Sequence, residues 1–219
     1  MRWLVLNFHG VGDPCRPMEP GESDVWLSKK RFTQILDISA DRDDVLITFD
    51  DANSSDLGIA AQELEKRGQT ATFFILTGKL GSRGYLSSDE VQELFARGHK
   101  IGSHGCHHVD WRSISRTTLQ EEIRGSRAAL EDLLQATVSE YAIPFGSYDR
   151  RVLKELKAQS PSRMHTSDGG RWNGKHSIVP RHSLRSHDDP ESVAKAIERS
   201  FYRSDRVVRG VKSLVKRLR

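Results

Sequence analysis

The sequence predicts an α/β fold in which a parallel sheet is wrapped by helices. Three observations lead there. Apolar runs of strand length alternate with segments of helical period along most of the 219 residues. Polar residues fall at the ends of the strands, at His9, Asp50-Asp51, His104 and Pro144-Phe145-Gly146. No internal repeat or low-complexity linker interrupts the chain, and this length suits one domain with a substantial core. In parallel α/β folds the C-terminal ends of the strands gather on one face, where active sites are built.

The elements follow in order. Trp3–Phe8 is a short apolar run ending at His9 and Gly10, a strand feeding a loop. Residues 11–30, rich in Pro, Gly and charge, read as irregular. Val45–Phe49 is a buried type of strand that stops at Asp50 and Asp51. Leu57–Arg67 has helical period and ends at Gly68, a C-cap. Thr70–Leu76 is β-branched and aromatic, hence a strand. Ser87 or Ser88 caps a helix that runs to Arg97 and closes at Gly98. Lys100–Ser103 is a short strand delivering His104. Then come a long amphipathic helix (Thr117–Leu134), a strand (Tyr141–Ile143) stopped by Pro144, a helix (Arg150–Ala158), a short strand (Ser177–Val179) and a helix (Pro190–Phe201).

With 36% hydrophobic and 29% charged residues, the composition is that of a soluble globular protein and excludes a disordered chain. No run is long enough to cross a bilayer, and the apolar stretch Trp3–Leu6 is too short for a secretory signal, so a cytoplasmic location is expected. Cys15 and Cys106 cannot form a disulfide framework and read as free thiols. Much of the formal charge of +4 sits in the last residues, Arg203, Arg206, Arg209, Lys212, Lys216, Arg217 and Arg219, interleaved with apolar residues at near-helical spacing. The organisation expected is therefore a catalytic body over residues 1–202 and a basic amphipathic helix or tail over 203–219. That tail either docks its apolar stripe on the body or contacts an anionic surface such as the inner face of a membrane. Nucleic acid is not expected as a partner, and the oligomeric state is not readable.

Two groups of residues carry chemistry. Thr48-Phe49-Asp50-Asp51 places adjacent carboxylates at the mouth of a strand; in extended backbone they point to opposite sides, so one can bind a metal while the other acts as a base. Taken alone, such a pair is more often a turn or helix cap. In His104-Gly105-Cys106-His107-His108, histidines four apart on a helical turn share a face, with His107 pointing away. A bare HxxxH is more often a solvated turn. Together, two imidazoles and one carboxylate give three ligands for a divalent ion and leave positions open for water and substrate. Zinc is the ion expected from these donors, with cobalt, nickel or iron as alternatives.

The series VLITFDDAN, TATFFIL, RGHKIGSHGCHH and YAIPFGSYD resembles, in matching order over about residues 43 to 185, the polysaccharide deacetylases of carbohydrate esterase family four. That resemblance implies a distorted, incomplete (β/α) barrel and a metal-dependent hydrolase acting on an acetylated sugar or glycan. Carried over, Asp50 is the general base, and Asp51, His104 and His108 are the metal ligands. The backbone N–H of Phe145, within Pro144-Phe145-Gly146, would stabilise the oxyanion. Asn7-Phe8-His9-Gly10 resembles the early histidine motif of the biofilm poly-N-acetylglucosamine deacetylases, which makes His9 the expected general acid, with His182 in reserve. Asp168 falls where the family has an aspartate that orients a catalytic histidine, or is a plain Asp-Gly turn. Trp172 would floor a sugar subsite or cap the core, and Trp111 has the same two readings.

This chain departs from the family at three places, one being Val179-Pro180-Arg181-His182, a poor match to the C-terminal leucine-x-histidine motif that supplies the general acid. Gly105 stands where Ser or Thr follows the first histidine, and Ala142 stands where an arginine normally holds the base. Without that arginine, Asp50 lacks a cationic neighbour, which implies slower turnover or a different contact to the base. The rival classes are a hydrolase of a non-sugar amide, a non-haem iron oxygenase and a metal-binding protein with little activity. The oxygenase leaves the second carboxylate without a task.

Overall fold

The computed structural model of the chain describes residues 2–198. The tail expected over 203–219 lies outside the described residues. Nine strands form one sheet: β1 (Trp3–Phe8), β2 (Val45–Phe49), β3 (Thr72–Ile75), β4 (Lys100–Ser103), β5 (Glu140–Ala142), β6 (Arg163–Thr166), β7 (Arg171–Trp172), β8 (Ile178–Pro180) and β9 (His182–Ser183). Their order is β7-β1-β2-β3-β4-β5-β6-β8, with β9 also beside β1. Every pairing is parallel except that of β7 with β1. Only Arg181 separates β8, which pairs with β6, from β9, which pairs with β1. The two ends of the sheet thus meet across a single residue, and the mixed sheet is nearly closed into a barrel.

Around it lie α1 (Lys29–Ser39), α2 (Gln62–Glu65), α3 (Ser88–Ala96), α4 (Arg116–Gln120), α5 (Ser126–Leu134), α6 (Arg150–Lys157) and α7 (Pro190–Glu198). The helix expected over Leu57–Arg67 begins as a π-helical turn, Asp56–Ala61, that runs into α2. The long helix expected over Thr117–Leu134 is α4 and α5 joined by a second π turn, Glu121–Gly125. α3 opens with a capping box: Ser87 Oγ accepts from the Glu90 N–H, and the Glu90 carboxylate accepts from the Ser87 N–H at 2.7 Å. Helix α1, capped by Ser28, has no counterpart among the predicted elements, nor do β6, β7 and β9.

The alternation of side chains along the strands separates two environments. Leu4, Leu6 and Phe8 of β1, Ile47 and Phe49 of β2, and Phe73 and Ile75 of β3 pack under the helices in the main core. Phe8 stacks on Phe49 at 5.3 Å, Phe49 on Phe73 at 4.8 Å, and Phe32 of α1 meets Phe8 edge-on. The alternate residues line the barrel interior. Val5, Trp172 and Val179 fill its lower end with Trp3 and Leu46, while Asn7, Thr48 and Asp50 make its upper end polar. Asp50 simply continues the inward-facing series of β2.

Candidate active site

The functional candidates converge at the C-terminal ends of the strands. A cleft of about 570 Å³ there is lined by His9 after β1, Asp50 and Asp51 after β2, His104 and His108 after β4, Phe145 after β5, Ser167 and Asp168 after β6, and Arg181 and His182 at the barrel closure.

Asp51, His104 and His108 come together, with donor atoms within 4.8 Å of one another. The Asp51 Oδ1 lies 3.4 Å from His104 Nε2 and 3.6 Å from His108 Nε2. His104 donates through Nδ1–H to the Ala142 carbonyl at 2.9 Å, which fixes the ring and turns Nε2 toward Asp51. Asp51 Oδ1 is buried and accepts no hydrogen bond. An orphaned carboxylate oxygen facing two imidazole nitrogens is a donor set that a divalent cation fits, since a buried acceptor left unpaired is costly. Burial pushes the Asp51 carboxyl up, and the His104, His9 and His108 imidazoles bring it down to about 2. Burial lowers His104, but Asp50 and Asp51 outweigh it and raise its pKa, whereas His108 is lowered chiefly by burial.

Two local expectations need correction. The aspartate pair is not in extended backbone: Asp51 has φ 80 and Ala52 φ 58, so the chain turns left-handed straight after Asp50. The histidine segment is not helical either, because Gly105 (φ 86) and His108 (φ 54) turn the chain twice between β4 and Trp111. The two imidazoles meet through these turns rather than through helical spacing. With Phe145 (φ 57), four of the six non-glycine residues at positive φ among the described residues belong to this cleft or flank it. Each costs on the order of 1–2 kcal/mol, strain of the kind that collects at functional sites.

Asp50 has the cationic neighbour that Ala142 fails to supply. Arg181, fully buried, bridges it bidentately, Nη1 to Oδ1 and Nη2 to Oδ2, both at 2.7 Å. Asn7 Nδ2–H donates to Oδ2 at 3.0 Å, while Asn7 Oδ1 accepts from Thr48 Oγ1–H and from Arg181. Burial pushes the Asp50 carboxyl up, yet Arg181, His104 and His9 hold it far below the usual carboxylate range. Arg181 and Asn7 are absent from the sequence-level candidates. The available signal was an arginine continuing the apolar run Ile178-Val179-Pro180 directly before His182.

The remaining candidates divide. His9 Nε2 lies 4.0 Å from Asp50 Oδ2, and His182 also lines the cleft. Asp168 lines it too, and its Oδ2 accepts from Tyr148 Oη–H at 2.6 Å and Thr166 Oγ1–H at 3.0 Å, so it is a built feature rather than a plain turn. Phe145 is 63% exposed and stacks on His108 at 4.3 Å, whereas Pro144 and Gly146 are buried behind it. Trp172 does not line this cleft. It pairs with Trp3 at the lower end of the barrel, and its Nε1–H donates to the His176 carbonyl. Trp111 is fully buried core.

Comparison with known proteins agrees with this fold. Residues 37–160 match the family model described as polysaccharide deacetylase. A Bacillus subtilis protein named as a polysaccharide deacetylase, YxkH, is 23% identical over 185 residues, 84% of this chain and 62% of its own length; the chain thus spans less than two thirds of that relative. Among solved structures, the Streptococcus pyogenes deacetylase PplD, in complex with acetate, superposes with a TM-score of 0.78 at 20% identity, covering 90% of this chain and 98% of that one. A de-N-acetylase from Aggregatibacter actinomycetemcomitans superposes at 0.75 with 13% identity, covering 90% and 100%. At these identities the structural likeness establishes the fold.

Proposed function

This chain belongs to the polysaccharide deacetylase family, and from that premise we propose that it removes acetyl groups from an N-acetylated sugar, oligosaccharide or polysaccharide with the help of a divalent cation. One observation supports this above the others. The ionised Asp50 and the Asp51–His104–His108 donor set open side by side into one cleft, so a base and a cation site face the same substrate. The acetate in PplD and the de-N-acetylase activity named for the second neighbour support the same reaction class.

Asp51, His104 and His108 would hold the cation, zinc being the ion expected from two nitrogen donors and one oxygen, with cobalt, nickel or iron compatible. When bound, it polarises the acetyl carbonyl and lowers the pKa of water toward neutrality. Asp50, ionised and facing the same cleft, would accept a proton from water held there. Arg181 and Asn7 keep Asp50 ionised and fix both of its oxygens, so the proton acceptor stays in place through the cycle. The Phe145 backbone N–H, in its left-handed turn, is the donor proposed for the developing oxyanion. His9, beside Asp50, returns a proton to the leaving amine, with His182 across the cleft as the alternative donor.

The test is acetate release from N-acetylglucosamine oligomers by the zinc-loaded protein. The wild type should release acetate; Asp50→Asn should keep its zinc and lose at least about 100-fold in rate, the usual contribution of a general base. A zinc-loaded wild type that releases no acetate from any acetylated sugar would sink the proposal.

A further inference from the structure

We infer that Glu122, a residue outside the cleft, positions His104 and His108 by holding the loop between them; the inference rests on reading those histidines as cation ligands. Gly105, Cys106 and His107 are the whole of that loop. The Gly105 N–H donates to Ser103 Oγ at 3.1 Å, and the next two N–H groups, of Cys106 and His107, donate to Glu122 Oε2 at 2.8 and 3.3 Å. His107 closes the arrangement by donating from Nδ1–H to Glu122 Oε1 at 2.8 Å. Successive backbone N–H groups turned toward one anion form a nest, and here the anion is part of the chain.

The other edge of the loop is held as well. The Gly105 and Cys106 carbonyls accept from the Thr77 and Gly78 N–H groups at 3.1 and 2.9 Å. Glu122 is buried within the π turn between α4 and α5. Ser126, just past that turn, bonds Ser103 Oγ at 2.6 Å and the Glu122 carbonyl at 2.6 Å. One irregular turn of helix therefore fixes both the strand end that carries His104 and the loop that leads to His108. Such single π turns often mark functional insertions.

A Cβ at position 105 would lie 2.6 Å from Glu122 Oε2 and 3.1 Å from the Trp111 ring. With φ 86, Gly105 takes a left-handed turn that a side chain would strain, and the Glu122 carboxylate lies against it. Its carboxylate bonds the loop and the His107 ring rather than His104 or His108, so Glu122 is a positioning residue.

The experiment measures Zn²⁺ affinity by competition with a chromogenic chelator, and the visible spectrum of the Co²⁺-loaded protein. The proteins are the wild type, Glu122→Ala, Glu122→Asp, Glu121→Ala and Asp51→Asn. Glu122→Ala, and Glu122→Asp with its carboxylate one methylene short, should each weaken Zn²⁺ binding by about 10- to 100-fold and alter the Co²⁺ spectrum. Glu121→Ala removes the same charge from an exposed neighbour and should change neither. If Glu122→Ala fails to fold, Glu122→Asp decides alone. Wild-type affinity and spectrum in the folded Glu122 variants, or an equal loss in Glu121→Ala, overturns the inference. Absence of Zn²⁺ uptake by the wild type, or undiminished uptake by Asp51→Asn, instead removes the cation reading and takes this inference with it.

Discussion

At the scale of single residues, the site depends on a substitution of partners. The arginine expected two residues before Pro144 is absent, and Ala142 contributes only its carbonyl, to His104. Arg181 approaches Asp50 instead from the single-residue link between β8 and β9, where the barrel closes. Removing one partner of a buried pair leaves an uncompensated charge, so Arg181→Met should destabilise the fold by about 3–5 kcal/mol in urea unfolding. The pH dependence carries the sign. In the wild type Asp50 titrates far below its unfolded value, so the paired, ionised state is stabilising above that unfolded value and is lost only as pH falls well below it. Without Arg181, burial dominates and the Asp50 pKa rises. The acidic limb of kcat/KM should therefore move to higher pH in Arg181→Met. Arg181→Lys keeps a charge but cannot grip both carboxylate oxygens, so it should fall between the two. An unmoved acidic limb in both variants would show that Arg181 does not set the state of the base.

At the scale of elements, what was legible in the sequence is what is encoded locally. Strands β1 to β5 and helices α3, α6 and α7 follow from apolar runs, caps and terminating Gly or Pro. The cap of α3 was open between Ser87 and Ser88, and the structure gives it to Ser87, whose Oγ accepts the Glu90 N–H at 3.2 Å. Ser87→Ala should accordingly cost about 1 kcal/mol in thermal or denaturant unfolding and Ser88→Ala almost nothing. Equal losses would contradict the capping geometry. α1 was legible in principle, since Phe32, Ile35, Leu36 and Ser39 are buried at i, i+3, i+4 and i+7, but the charged start Lys29-Lys30-Arg31 masks the stripe. Strands β7 and β9 are two residues each and are defined by their partner β1, far away in sequence. The turns at Asp51, Ala52, His108 and Phe145 put non-glycine residues at positive φ, against local preference, so no local pattern announces them.

At the scale of the whole molecule, the site exists because barrel closure brings together residues that sequence distance separates. Asp51 and His104 were pairable from motif order, but the contact of Asn7, Asp50 and Arg181 spans 174 positions and depends on β9 returning to β1. The cation proposed there should couple to global stability, because the unfolded chain cannot assemble the three donors. At free Zn²⁺ near 100 times its Kd, linkage gives about 2.7 kcal/mol, which for a chain of this size corresponds to roughly 5–10 °C in Tm. The size of that shift should depend on pH with a definite sign. Without a cation, Asp50 and Asp51 raise the pKa of His104 despite burial. Its proton stabilises the cation-free fold fully below the unfolded histidine value, and that contribution disappears as pH rises through the folded value. A cation must displace the same proton, so its stabilisation is small where His104 is charged and grows as pH rises past that point. Differential scanning fluorimetry with and without Zn²⁺ from pH 5.5 to 8.5 should show a widening gap in the wild type and none in Asp51→Asn or His108→Ala. A gap that is constant with pH, or preserved in both variants, would mean that Zn²⁺ stabilises the protein from somewhere other than this cleft.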